Sequence, residues 1–307
     1  MPRRIILDCD PGHDDAVALL LAHGSAEVAL AAVTTVAGNQ TLDKVTWNAR
    51  SVATLAGIHG VPVAAGCDRP LLRELTVAAH IHGESGLDGA TLPEPTVELD
   101  PRHGVDVIVE TVMRSDPGEI TLVPTGPLTN IAMAMRREPG IVPRVREVVL
   151  MGGSYTRGNI TPAAEFNIAV DPEAAAAVFA GEWQVTMVGL DLTHQALTTP
   201  DVLARITAIG TPVATTVAQL LTFYRRAYRA DQHMSDPPMH DPCTVARVIA
   251  PDVMTVRDAL VTVETQGRWT SGMTVTDFGR SSNTLVATTL DVPRFWDLLI
   301  DALTTIG

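Results

Sequence analysis

Arg4-Ile5-Ile6-Leu7-Asp8-Cys9-Asp10-Pro11-Gly12-His13-Asp14-Asp15 starts as a short apolar run, turns at Pro11-Gly12 and enters a helical pattern over residues 14–23. A strand that feeds a helix through a tight polar turn is the opening of an α/β unit. The alternation continues, with strands expected at 28–35, 61–65, 120–124, 147–151 and 185–190. Helical patterns at 42–58, 104–114 and 172–180 lie between them. Most of these strands are continuously apolar, as strands buried on both faces should be. The expected fold is therefore α/β, a doubly wound, mostly parallel, Rossmann-like sheet. Residues 254–264, 273–276 and 284–288 alternate apolar and polar, which predicts a small antiparallel portion near the C-terminus. A closing helix is expected at 294–304, after Pro293. No repeat, low-complexity tract or linker divides residues 1–307, so one domain is expected. Segments 80–95 and 230–238 read as long loops, which in compact α/β domains often serve as lids.

Composition narrows the function. A hydrophobic content of 46% supports a large core, and with 4% aromatics that core must be mainly aliphatic. The formal charge of −13 repels nucleic-acid backbones and anionic lipids, so neither is expected as a partner. Three widely spaced cysteines suit reduced thiols, and no secretory signal or membrane-length apolar run is evident, so a cytoplasmic location is expected.

The chemistry concentrates at the first turn. Four carboxylates fall between Asp8 and Asp15, and crowded like charges are costly unless something neutralises them. Carboxylate oxygens are the ligands that hard cations such as Ca²⁺ and Mg²⁺ require. Helix capping by Asp14 or Asp15 accounts for one or two of the four. An EF-hand is excluded, because counting from Asp8 the glycine comes one place early and position twelve is Leu19. No Walker loop or Gly-x-Gly-x-x-Gly follows a strand. In His240-Asp241-Pro242-Cys243, Asp241 and Pro242 also read as an ordinary N-cap and first helical residue. Asn39, Thr125, Met151 to Ser154 and Asp191 all follow predicted strands, and ligands of open parallel sheets bind beyond the strands' carboxyl ends. That placement converges on the aspartate cluster.

Taken together, these residues resemble the inosine–uridine-preferring nucleoside hydrolases. Asp8-Cys9-Asp10-Pro11-Gly12-His13-Asp14-Asp15 is similar to the family signature. Leu122-Val123-Pro124-Thr125-Gly126-Pro127-Leu128-Thr129-Asn130, Ala164-Glu165-Phe166-Asn167, Val188-Gly189-Leu190-Asp191-Leu192-Thr193-His194 and His240-Asp241-Pro242 follow in the family's order. The resemblance implies Ca²⁺ held by the carboxylates of Asp10, Asp15 and Asp241 and the carbonyl of Thr125. It implies ribose hydroxyls bound by Asp14, Asn167 and Asp241, with Asn39 supporting the cluster. Asn159 and Glu165 would hold the 5′-hydroxyl, with Met151 and Phe166 lining the sugar pocket. His240 would protonate the departing base, and His82, Tyr224 and Tyr228 would sit on mobile flaps over it. Without the resemblance, one-turn spacing makes Tyr224 and Tyr228 a packing face of a helix. Two positions depart from the family pattern: His13 stands where an apolar residue is usual and Pro127 where glycine is usual. Pro127 is expected to shift the Thr125 carbonyl.

The implied reaction is hydrolysis of the N-glycosidic bond of ribonucleosides, with Asp10 deprotonating a water held on the cation. Nucleoside catabolism and base salvage by a homodimer or homotetramer would follow. Two other readings compete. Haloacid-dehalogenase-type phosphohydrolases also place Asp-x-Asp after a first strand, but Pro11-Gly12 replaces their downstream hydroxyl residue and Asp14-Asp15 has no role there. A calcium-dependent nucleoside sensor without turnover would have no need of Asp10 and His240.

Overall fold

β1 (Arg3–Cys9) owes its place to its flanks. Leu7 and Ile5 point into one hydrophobic cluster and Ile6 into another, as the two-residue period of a strand requires. β1 is paired on both sides, by β2 (Val28–Thr35) and β4 (Ile120–Pro124), both parallel to it. β3 (Val63–Ala65), β5 (Glu147–Met151) and β6 (Val185–Val188) extend the parallel sheet outward. β9 (Thr284–Leu290) joins β6 in parallel, and β7 (Met254–Val263) with β8 (Thr274–Asp277) closes that edge antiparallel. The order across the nine strands is β3-β2-β1-β4-β5-β6-β9-β7-β8. The computed structural model describes residues 1–282 and 284–306.

Helices cover both faces. His13–Gly24, Leu42–Leu55, Pro212–Asp231, Pro242–Ile249 and Val292–Thr305 bury one face of the sheet, and Gly104–Arg114, Thr129–Arg137 and Pro172–Phe179 bury the other. The chain departs from β1 to opposite sides at β2 and β4, which opens a crevice beyond their carboxyl ends. Asp8 sits in register with Thr34 and Pro124 at that rim, so the following turn projects into the crevice. Among the described residues no helix is long and apolar enough to cross a membrane.

The expected elements form with small shifts at their ends. The strand read as 185–190 stops at Val188, because Gly189 starts the short helix Leu190–Thr193. The helix read as 42–58 ends at Leu55, ahead of Gly57 with φ 66°. The closing helix begins two residues early, since Pro293 fits its first turn and Asp291 caps it. The two supposed loops are partly helical: Ala79–His82 starts the first, and Pro212–Asp231 runs into the second.

Candidate active site

The turn after β1 is built by hydrogen bonds to its own carboxylates. Asp15 folds back so that Oδ1 accepts from the Asp10 amide at 3.2 Å and Oδ2 from the Gly12 amide at 3.1 Å. Capping thus explains Asp15, and the helix N-terminus favours its charge. Thr125, just past β4, donates its hydroxyl to Asp15 Oδ1 at 2.8 Å, and Asn39, past β2, donates Nδ2 to Oδ2 at 3.1 Å. The Asn39 amide also donates to Asp10 Oδ2 at 2.6 Å. Asp241 stands at the N-cap position of Pro242–Ile249, yet its side chain makes no capping bond. Its carboxylate instead joins the cluster, so the bland reading of His240-Asp241-Pro242 is half right.

Asp14, Asp15 and Asp241 each bring one oxygen to a common spot, all within 4.8 Å of one another. Asp10 Oδ1 lies buried without a hydrogen-bond partner. Burial pushes the Asp10 and Asp241 carboxyls well above the ordinary range; Asp15 adds to the first, and Asp14, Asp15 and Asp10 to the second. Burial, then Asp15, pushes Asp14 up to about 7. Four buried acids that cannot all ionise unaided, one with an orphaned oxygen, fit a hard divalent cation with oxygen ligands. The tightest grouping has Asp14 where the family pattern implied Asp10, while the Asp10 carboxylate stands beside Asp15. The Thr125 carbonyl accepts from Asn167 Nδ2 at 2.7 Å, and its amide is tied to the Asp8 carbonyl at 2.8 Å.

Above the cluster opens a cleft of about 570 Å³, its mouth included. Asn167 spans its floor, donating to Met151's carbonyl at 3.2 Å as well as to Thr125. Glu165 caps the helix Phe166–Val170 and accepts from the Gly153, Asn167 and Ile168 amides, while burial pushes its carboxyl up to about 7. Asn159 Oδ1 accepts from the Phe166 amide at 2.9 Å, which ties its loop to the same helix. His240 is held between two hydroxyls: Thr193 at 2.7 Å from Nδ1 and Tyr228 at 2.8 Å from Nε2. Burial holds this imidazole well below its usual pKa. Tyr224 meets Tyr228 edge to face. His82, Tyr224 and Tyr228 are buried on helices rather than carried on extended flaps. Every residue singled out from the sequence as substrate-binding lines this one cleft.

The architecture can now be set beside known proteins. A family model described as inosine-uridine preferring nucleoside hydrolase matches residues 5–297. This chain belongs to that family. It is 55% identical to the inosine-uridine preferring nucleoside hydrolase of Crithidia fasciculata, covering 100% of this chain and 99% of the relative. It is 47% identical to a pyrimidine-specific ribonucleoside hydrolase, RihA, of Enterobacter sp. (strain 638), with 97% of each covered. A solved purine-preferring ribonucleoside hydrolase from Gardnerella vaginalis superposes with a TM-score of 0.93 at 32% identity, covering 99% of both chains. The chain is thus an enzyme, a ribonucleoside hydrolase.

Several parts of this nucleoside hydrolase site were not read from its sequence. Thr193 came only as a letter in a motif, without its bond to His240. Asp8 is buried behind the site, bonded to Thr34 at 2.6 Å and Asn130 at 2.8 Å. Gly38 and Gly126 flank the Asp10 carboxylate, and a Cβ at Gly126 would lie 2.5 Å from Oδ1 and 2.8 Å from Cγ. Pro127 also abuts Gly38, where a Cβ would lie 2.6 Å from its Cδ. Gly126→Ala must displace Asp10, since Val36 bounds the other side at 3.0 Å. Displacement of about 1 Å costs on the order of a hundredfold in rate. We expect that loss in kcat/KM with the melting profile largely kept; an unimpaired variant would show that Asp10 needs no such cradle.

Proposed function

We propose that the enzyme cleaves the N-glycosidic bond of ribonucleosides with Ca²⁺ as cofactor, Asp10 as base for the attacking water and His240 as proton donor to the departing base. One observation carries this reading: Asp14 and Asp241 of the acidic cluster and the hydroxyl-flanked His240 line a single cleft. The carboxylates of Asp10, Asp15 and Asp241 with the Thr125 carbonyl would hold the cation, and Asp14 is near enough to share in it. When bound, Ca²⁺ supplies positive charge that orients and partly acidifies water. It is a weak Lewis acid, so a carboxylate base is still required, and Asp10 with its unpartnered Oδ1 serves.

Asp14, Asn167 and Asp241 bind the ribose 2′- and 3′-hydroxyls, with Asn39 bracing the carboxylates. Asn159 and Glu165 bind the 5′-hydroxyl, and Met151 and Phe166 pack against the sugar. As the glycosidic bond breaks, the sugar gains oxocarbenium character that buried carboxylates stabilise electrostatically. Negative charge develops on the base beside His240. That charge favours the protonated ring and offsets the burial that keeps it neutral at rest. Thr193 and Tyr228 engage both ring nitrogens, so the proton would reach the base through the Tyr228 hydroxyl, which gives one proton to the base as it takes one from Nε2. Tyr224 with His82 walls the base.

His240→Ala should slow inosine cleavage by roughly a hundredfold or more, the usual scale of general acid catalysis. A p-nitrophenyl riboside, whose leaving group departs unprotonated, should lose far less. Equal losses on both substrates would make His240 a structural residue.

A further inference from the structure

His13 is absorbed by none of the roles above, yet it is fully buried beside the base end of the cleft. Its ring lies in a stack with Phe223, Tyr224 and His82, with centroids 5.3, 5.2 and 5.3 Å away and planes within 3°, 14° and 24°. Its Nε2 is 2.8 Å from the Asp88 carbonyl, an atom that can only accept, so this nitrogen carries a proton. Its amide is 3.2 Å from His82 Nδ1, and its own Nδ1, bare because Nε2 carries the proton, is 3.1 Å from the same atom. That single nitrogen of His82 either accepts from the amide or donates to the ring, and in both cases residue 13 holds it. The residue before it completes the arrangement. A Cβ on Gly12 would lie 2.5 Å from His82 Nδ1, so the ring sits in space that a side chain at 12 would fill.

We infer that Gly12 and His13 form a seat for His82, which makes His13 a positioning residue for the nucleobase. With Nδ1 taken up by the seat, Nε2 is the ring nitrogen left to face the cleft that His82 lines. Among the described residues nothing hydrogen-bonds His82 Nε2, so it is available to a polar edge of a purine or pyrimidine. The His13 bond to Asp88 ties segment 83–88 to the same turn, and the stack ties in the helix Pro212–Asp231 that carries Tyr224. The wall facing the base is thereby fixed before substrate arrives, and preorganisation of this kind favours binding over the chemical step.

The inference rests on the nucleoside reading of the cleft, and a double-mutant cycle tests it separately. His13→Leu, His82→Ala and the double variant are compared with the unmodified enzyme on inosine and uridine, with free ribose as an inhibitor lacking a base. His13→Leu should raise KM roughly tenfold with kcat nearly kept, the scale of one lost hydrogen bond. It should add nothing in the His82→Ala background, because it acts through that ring. Inhibition by ribose should not change. His13→Phe keeps the stack and the backbone amide but not the ring-nitrogen contacts to His82 and Asp88, so it should reproduce the KM effect in a protein with its fold intact. Additive defects, or ribose inhibition weakened in step with KM, would overturn the seat. An unmodified enzyme that releases no base would instead overturn the nucleoside reading.

Discussion

Chelating the cation is expected to remove activity and to destabilise the fold, and the destabilisation should grow as pH rises. Without a cation, the Asp10, Asp14, Asp15 and Asp241 carboxyls all hold their protons more tightly than ordinary aspartates, burial being the largest cause for each. In the unfolded chain these groups ionise near about pH 4. Below that value both states are protonated and the buried cluster costs little. Between about pH 4 and pH 7 the unfolded state releases protons that the folded state retains, so folding stability falls as pH rises. Asp8 and Glu165, each pushed up to about 7 mainly by burial, act in the same direction. A bound cation takes the place of those protons, so its affinity rises with pH and it stabilises the folded state by mass action. Thermal melts at several values between about pH 5 and pH 8, with chelator and with added Ca²⁺, read this directly. The chelated Tm should drop steadily and the gap to the Ca²⁺ form should widen. Parallel, flat curves would show that the cluster does not depend on a cation for its charge balance.

Nucleoside 5′-monophosphates should be cleaved at least about a thousandfold less efficiently than the matching nucleosides. Among the described residues lining the cleft there is no lysine or arginine to receive a dianion. Glu165 is there instead, buried, with both oxygens already accepting backbone amides and therefore unable to swing away. Above the value of about 7 to which burial pushes Glu165 it is ionised, so the comparison is made near about pH 8. Like charges a few ångströms apart in a poorly screened pocket then repel by roughly several kcal/mol, each ~1.4 kcal/mol being a factor of ten. Glu165→Gln should narrow the ratio of nucleoside to nucleotide kcat/KM. It also sets an amide donor against backbone donors and lowers both rates, so the ratio within one protein is the quantity to compare. Comparable kcat/KM for inosine and its 5′-monophosphate in the unmodified enzyme would place the 5′ end in solvent and remove Glu165 from its role.

The parallel core was legible because its strands are buried on both faces and read as unbroken apolar runs between helical patterns. The first turn was legible because Asp10, Asp14 and Asp15 in so short a stretch have few other physical uses, whereas Asp8, read together with them, is bonded to Thr34 and Asn130 behind the site. The starts of the helices at Pro200 and Pro212 were passed over, although Thr199-Pro200 and Thr211-Pro212 carry the hydroxyl cap and first-turn proline that begin them. Only the Tyr224–Tyr228 spacing and the Asp241-Pro242 cap pointed to helix in this region. Tertiary partnerships were out of reach. Nothing in local sequence tells that Thr193 meets His240, or that Gly126 is bare so that Asp10 has room. The side chain of Asp241 also defeats local reading: its position is a cap, but its carboxylate belongs to residues more than two hundred places earlier in the chain. Glu165 serves as both cap and cleft wall, and the family resemblance implied only a role in the cleft.

The most direct test of the central claim is free base released from inosine and uridine by one preparation, assayed as purified, after chelation, and after Ca²⁺ is restored. The account predicts equal amounts of free base and ribose, loss of release on chelation, and recovery with Ca²⁺. Undiminished release after verified removal of the metal, or no free base from any nucleoside with Ca²⁺ present, would contradict it.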